Sequence, residues 1–212
     1  TSGLDLIFNV ACTLGFRVPA PMPSWDSSQY LQFAQERTQP SIDLAARVGL
    51  DAPARIVDLG CGPGNSTAVL AQRWPNAQLT GVDTSPAMLA TARREFPAPA
   101  WVESDIAAWA ADTAGDASFD LVFSNAALQW VPDHARLLPR LLAKVSPGGV
   151  LAFQVPHSLE APPQRCLRAL ASSPEWGSRF LRPPIPWHVE PLGFYYDILG
   201  PRTGRLDIWL TD

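Results

Sequence analysis

Between Arg55 and Val155 the chain repeats one alternation: a short apolar run, a turn, then a stretch with helical spacing. The runs are ARIVDL, AQLTGVD, PAWVESD, FDLVFSN and GVLAFQV, and between them lie NSTAVLAQRW, SPAMLATARREF, IAAWA and HARLLPRLLAKV. Strands joined through helices of this length pair in parallel, because antiparallel neighbours need only a tight turn. Right-handed crossovers then put helices on both faces of the sheet. Near-continuous apolar runs such as LVF and VLAF fit strands covered on both sides. The predicted fold class is therefore α/β: a doubly wound, mostly parallel, Rossmann-like sheet with helices on both faces. Ser85 reads as a helix cap with Pro86 at the first helical position, and SPGG at 146–149 as the stop of the fourth helix.

On either side the pattern changes. SWDSSQYLQFAQERTQ predicts an amphipathic helix with Tyr30, Phe33, Ala34 and Arg37 on one face, and PSIDLAARVG a second helix that opens on Pro40 and stops at Gly49. After Val155, LEAPPQRCLRALASS and PLGFYYDILG read as helices and GRLDIWLTD as a strand. The 22 prolines cluster near residues 20, 162 and 185, which marks those stretches as loops or linkers.

With 47% hydrophobic and 17% charged residues among 212, the chain is globular and long enough for a substantial core. A formal charge of -4 and a pI near 5.3 argue against a general nucleic-acid binder. Cys12, Cys61 and Cys166 are far apart and form no C-x-x-C pair, so neither a disulfide framework nor a zinc site is expected, and the compartment reads as cytoplasmic. No apolar run is long enough to span a bilayer, and the apolar start lacks the basic residues of a signal peptide. The three histidines are scattered, so no metal site is predicted.

The first run ends in Asp58-Leu59-Gly60-Cys61-Gly62-Pro63-Gly64-Asn65, and a helix follows at once. Glycines let the backbone turn sharply and approach a ligand closely. The helix N-terminus offers unpaired N–H groups and a partial positive charge. In a doubly wound sheet this turn lies at the carboxyl edge, where ligands bind. A dinucleotide loop needs a glycine where Asn65 stands; here an acid, Asp58, precedes the first glycine instead. Two further acids close the next strands, Asp83 in GVDTSPAML and Asp105 in Glu103-Ser104-Asp105-Ile106, and the fourth strand delivers SNAALQW at 124–130.

The order D-x-G-x-G-x-G with these strand ends resembles class I methyltransferases that use S-adenosyl-L-methionine. The resemblance implies a set of contacts. Asp58 and the carbonyls of Asn125 and Ala126 serve the methionine ammonium; Gly60, Cys61, Gly62 and Asn65 supply the loop at the carboxylate and ribose. Asp83, with Thr84, takes the ribose hydroxyls. Met88 lies on the adenine or simply packs in the core. Ser104, Asp105 and Ile106 meet the adenine edge, unless Asp105 only caps the short helix. Trp130 walls the reacting centre or is plain core.

More narrowly, WDSSQYLQFAQERTQP, VDLGCGPGNSTAVLAQRWP, GVDTSPAMLA, ALQWVPDH, YYDIL and DIW resemble the trans-aconitate 2-methyltransferase family. That likeness implies transfer of a methyl group to a carboxylate of a small organic acid, in a monomer or homodimer without nucleic-acid or membrane partners. Alternatives are a methyltransferase for another small molecule, and a cofactor-binding protein without activity. Arg37 would grip the cofactor carboxylate, with an acceptor carboxylate or a solvated place on the first helix as alternatives, and Tyr30, Trp130 and His157 would position the acceptor. Arg179, Arg182 and Arg202 are further candidates for its carboxylates. The implied organisation is an N-terminal extension over 1–23, a cofactor core over 24–155, and substrate-side helices with a last strand over 156–212. Family chains begin near Met22 and continue past DIW. The extra apolar segment Leu4–Cys12 is expected to fill the position of a missing last strand; the alternatives are an extension packed loosely on the surface and a chain that dimerises to cover the gap.

Overall fold

The computed structural model describes residues 34–157, 160–179 and 187–210, with the helix backbone alone over 34–37. In chain order the elements are α1 (Ala34–Arg47), β1 (Arg55–Leu59), α2 (Asn65–Arg73), β2 (Gln78–Asp83), α3 (Pro86–Glu95), β3 (Ala100–Glu103), α4 (Ile106–Ala111), β4 (Phe119–Asn125), α5 (His134–Ala143), β5 (Val145–Gln154), α6 (Pro162–Ala171) and α7 (Leu192–Leu199). The five strands form one sheet in the order β3-β2-β1-β4-β5, and every pairing is parallel. That is the doubly wound α/β architecture the alternation predicts.

Side chains of the inner strands alternate between two apolar layers. Val57, Leu59 and Val122 join Leu137, Leu138 and Leu141 of α5 and Tyr195 and Leu199 of α7. Ile56, Leu121 and Phe123 join Leu44 and Ala45 of α1, Val48 just after it, and Leu70 of α2. Ile56, Leu121, Phe123 and Leu138 are fully buried; each such side chain contributes about 1.5–3 kcal/mol of transfer free energy. The sheet is thereby rigid at its centre, and β1 and β4 deliver their carboxyl ends at fixed positions.

Three expectations change. The helices expected over 24–39 and 40–49 are, within the described residues, one helix that runs through Pro40. Proline removes one hydrogen bond there. The burial of Ser41, Leu44 and Ala45 just beyond it keeps the second half docked on the sheet. SPGG is not a helix stop but a bulge inside β5. Phe119 pairs with Val145 and Leu121 with Val150, so two steps on β4 face five on β5. Gly148 takes φ +81° there, and the Ser146 hydroxyl donates to Asp120 Oδ1 at 2.8 Å. Finally, residues 204–210 form no strand. The outer edge of β5 pairs with no strand among the described residues, and the segment is held instead through Trp209, whose ring lies 4.2 Å under the Arg47 guanidinium. The expected strand from Leu4–Cys12 lies outside the described residues.

Candidate active site

Strand order reverses between β1 and β4, which opens a crevice at the carboxyl edge. The loop Gly60–Gly64 borders it. Its glycines have φ of +70°, +54° and +98°, all in the left-handed region. Gly60 is also tightly packed, since a Cβ there would stand 2.2 Å from the Ala127 Cβ; a Cβ on Gly62 would meet nothing within 4 Å. One glycine thus fits the loop to the turn after β4, and the next leaves open space. The N–H groups of Gly60 and Cys61 donate to the Val82 carbonyl at 2.8 and 3.1 Å. The Gly62 N–H donates to Asp83 Oδ2 at 2.9 Å. Helix α2 then starts on Gly64 without a side-chain cap, so its first N–H groups have no intrahelical partner and suit an anion.

Asp58 is buried to 1% exposure. The hydroxyls of Ser66 and Thr67 both donate to its Oδ2 at 2.6 Å, while Oδ1 has no partner. Burial pushes its carboxyl up to about 6; the two hydroxyls pull it down, and the nearby Asp83 charge adds to the rise. Other buried atoms without partners include Asn65 Nδ2 at the start of α2, Asn125 Oδ1 at the end of β4 and Gln129 Oε1 just beyond it. Unsatisfied buried groups are costly. This set, three acceptors with one amide donor beside a helix N-terminus, fits a ligand with both an ammonium and a carboxylate. The amino-acid end of S-adenosylmethionine is such a ligand.

Asp83 already uses both oxygens, Oδ2 on the Gly62 N–H and Oδ1 on the Ser85 N–H at 2.8 Å. Each oxygen keeps a second acceptor position, so ribose hydroxyls can still be received. On the β3 side Asp105 is exposed and its Oδ1 caps α4 by accepting the Ala108 N–H at 3.0 Å. The Ser104 hydroxyl donates to the Asp105 carbonyl at 3.1 Å. Ile106 and Met88 are buried, and Thr84 is exposed. Cys61 is buried beside Asp58 and Asp83; burial first, then these charges, raise its thiol far above the usual range. Ala126 follows β4 with φ +52°.

The acceptor candidates are less gathered. Trp130 is 46% exposed rather than core, edge-on to Trp187 at 6.1 Å. His157 is exposed. Arg179 stacks on Trp176 at 4.7 Å, and Arg202 donates to the Ile198 carbonyl at 2.6 Å; both are engaged with their own neighbours. Tyr30, Arg182 and the Arg37 side chain lie outside the described residues. Sequence reasoning missed Ser66 and Thr67, whose hydroxyls hold Asp58, and the buried Gln129, His134 and Tyr195. For the first two the signal was present, as paired hydroxyls in the first turn after the glycine loop.

A family model described as a methyltransferase domain matches residues 56–149, from β1 into β5. The trans-aconitate 2-methyltransferase of Azoarcus sp. (strain BH72) is 47% identical over 190 residues, covering 90% of this chain and 73% of that protein. The chain belongs to the trans-aconitate 2-methyltransferase family. Another member, from Variovorax paradoxus (strain S110), is 48% identical over 191 residues with the same two coverages, 90% and 73%. As a member of this family the protein is an S-adenosylmethionine-dependent methyltransferase. Two solved structures share the fold at low identity. The methyltransferase bound to the Trm112 activator of Haloferax volcanii superposes with TM-score 0.62 at 19% identity, over 82% of this chain and 72% of that one. Phosphoethanolamine N-methyltransferase 2 of Haemonchus contortus, solved with S-adenosyl-L-methionine, gives TM-score 0.54 at 21% identity, over 77% and 36%.

Proposed function

We propose that this chain methylates a carboxylate oxygen of trans-aconitate or a closely similar small acid, forming a methyl ester. One observation carries the acceptor: a 190-residue match at 47% identity to a protein named for trans-aconitate. A match of that length does not fit within the cofactor core and extends into the segment beyond Val155. Bound S-adenosylmethionine supplies an electrophilic methyl group on a sulfonium sulfur.

The chain's own residues then divide the work. Asp83, with Thr84, receives the ribose hydroxyls, and Gly60, Cys61 and Gly62 give the close backbone approach. Ser104, Asp105 and Ile106 meet the adenine edge beside Met88. Asp58 Oδ1 and the carbonyls of Asn125 and Ala126 receive the ammonium, while Asn65, the first turn of α2 and Arg37 receive the carboxylate. Tyr30, Trp130 and His157 position the acceptor. Its carboxylate is ionised at neutral pH, so the chain need supply no general base; it contributes alignment in a site shielded from water. In this reading residues 24–155 hold the cofactor and 156–212 form the acceptor side, in a cytoplasmic enzyme whose partner is a small acid rather than nucleic acid.

The test is a product assay over di- and tricarboxylic acids with S-adenosylmethionine. Methyl ester formation from trans-aconitate ahead of citrate and monocarboxylates is expected. Binding of S-adenosylhomocysteine without methylation of any carboxylic acid would contradict the proposal.

A further inference from the structure

A buried polar chain secures one side of the crevice, and none of the roles assigned above uses it. His134 is 2% exposed. Its Nε2 lies 2.9 Å from the Leu128 carbonyl and its Nδ1 lies 3.0 Å from the Tyr195 hydroxyl. A carbonyl only accepts, so Nε2 donates to Leu128, and in that tautomer Nδ1 accepts from the Tyr195 hydroxyl. The Tyr195 hydroxyl in turn accepts the Glu190 N–H at 3.2 Å. Burial raises the Tyr195 phenol above its ordinary value, which keeps it a donor. Every link has one donor and one acceptor.

The chain acts on a strained turn. Ala126 and Asp133 both have positive φ, +52° and +56°, conformations that non-glycine residues hold only when their surroundings fix them. Between them, Gln129 Nε2 donates to the Ala126 carbonyl at 2.7 Å. The Leu128 carbonyl receives the Val131 N–H at 2.9 Å as well as His134. The opposite segment closes on the same turn twice more, by the His188 N–H on the Gln129 carbonyl at 2.7 Å and by Trp187 edge-on to Trp130. An all-apolar contact would serve packing equally well; a fully satisfied polar chain selects one arrangement.

We propose that His134 and Tyr195 are positioning residues that lock the Asn125–Trp130 turn to the Trp187–Glu190 segment, forming one wall on the acceptor side of the crevice. Alignment of the acceptor, more than binding of the cofactor, then depends on the pair. The inference rests on the carboxylate-methyltransferase reading, but its structural half is testable alone. Tyr195→Phe keeps the ring contacts with Phe153 and Phe194 and removes only the hydroxyl. His134→Gln keeps an N–H for the Leu128 carbonyl, and His134→Phe does not.

Hydrogen exchange of residues 126–131, affinity for S-adenosylhomocysteine, and KM and kcat with trans-aconitate are measured for each variant. Tyr195→Phe is expected to speed exchange in the turn about tenfold, with β1 and β4 unchanged, the scale of one lost hydrogen bond. Its KM should rise about tenfold while cofactor affinity stays within about twofold. His134→Gln should lose less than His134→Phe. Unchanged exchange in the turn, exchange raised equally across the sheet, or a faster turn with unaltered KM and kcat would each overturn the assignment. If the wild-type chain does not methylate trans-aconitate, the functional reading fails, and the exchange comparison still decides whether the pair locks the turn.

Discussion

The loop Gly60–Asn65 and helix α6 both lie just beyond strands of one sheet, yet they are built by opposite means. The loop is made of backbone: positive φ at three glycines, two N–H groups on the Val82 carbonyl, a third on Asp83. Helix α6 has a polar and an apolar side but no buried residue, and its Leu170 and the nearby Trp176 are 50% and 41% exposed. A site made from backbone needs particular residue types at fixed local spacing. A site made from side chains on a lightly packed helix needs only compatible surfaces, and many sequences supply those. The loop's geometry is therefore written densely in this chain, and the surface of α6 thinly.

The comparison is broken most sharply at the glycines. Gly60→Ala puts a Cβ 2.2 Å from that of Ala127 at a φ of +70°. Strain and overpacking together should cost about 3 kcal/mol or more in urea unfolding. Gly62→Ala meets nothing within 4 Å and should cost only about 1 kcal/mol, while weakening cofactor binding, because the new methyl group occupies the open side of the loop. Equal stability losses for the two would show that close backbone approach does not shape the loop.

Asp83 comes next. Asp83→Ala should weaken S-adenosylhomocysteine binding by about 1.5–3 kcal/mol, the scale for a charged hydrogen-bonding group. It should also lower stability, because the N–H groups of Gly62 and Ser85 lose their acceptor. Calorimetry showing unchanged affinity would remove Asp83 from the site.

Asp58 supplies a pH dependence. Its carboxyl is raised to about 6 in the folded state, so the folded chain holds that proton more tightly than the unfolded one. The stability from this group is complete below the ordinary carboxylate value of about 4 and is lost as pH rises through about 6. Ligand binding runs the other way, since an ammonium prefers the ionised carboxyl. Affinity for S-adenosylhomocysteine should fall about tenfold from pH 7 to pH 5, and Asp58→Asn should flatten the profile. An identical profile in the variant would contradict the role of Oδ1. The smallest effect belongs to the other region: Arg179→Ala should leave KM and melting temperature unchanged, because Arg179 stacks on exposed Trp176. A raised KM would return it to the site.

The same contrast explains what was legible in the sequence. The five strands and their helices could be read because apolar runs and turn residues repeat locally, and Ser85 caps α3 as its position predicts, with Oγ accepting the Met88 N–H at 3.3 Å. Asp58, Gly60, Gly62 and Asp83 come together at the ends of β1 and β2 because each closes a strand or turns a loop. The bulge at SPGG was not legible, since proline and glycine mark a helix stop and a β-bulge alike and only pairing with β4 decides between them. Nor was the fate of GRLDIWLTD, whose pattern suits a strand but whose edge partner is a matter of tertiary structure. The link from His134 to Tyr195 spans 61 positions, and no local pattern announces it.

Hydrogen exchange of the intact chain with and without saturating S-adenosylhomocysteine tests the central claim most directly. Protection is predicted at 58–67, 82–88, 103–108 and 124–130, the carboxyl ends of β1 to β4, with none at 160–179. Protection centred on 160–179, or a loop at 60–65 whose exchange the ligand leaves unchanged, would contradict the account.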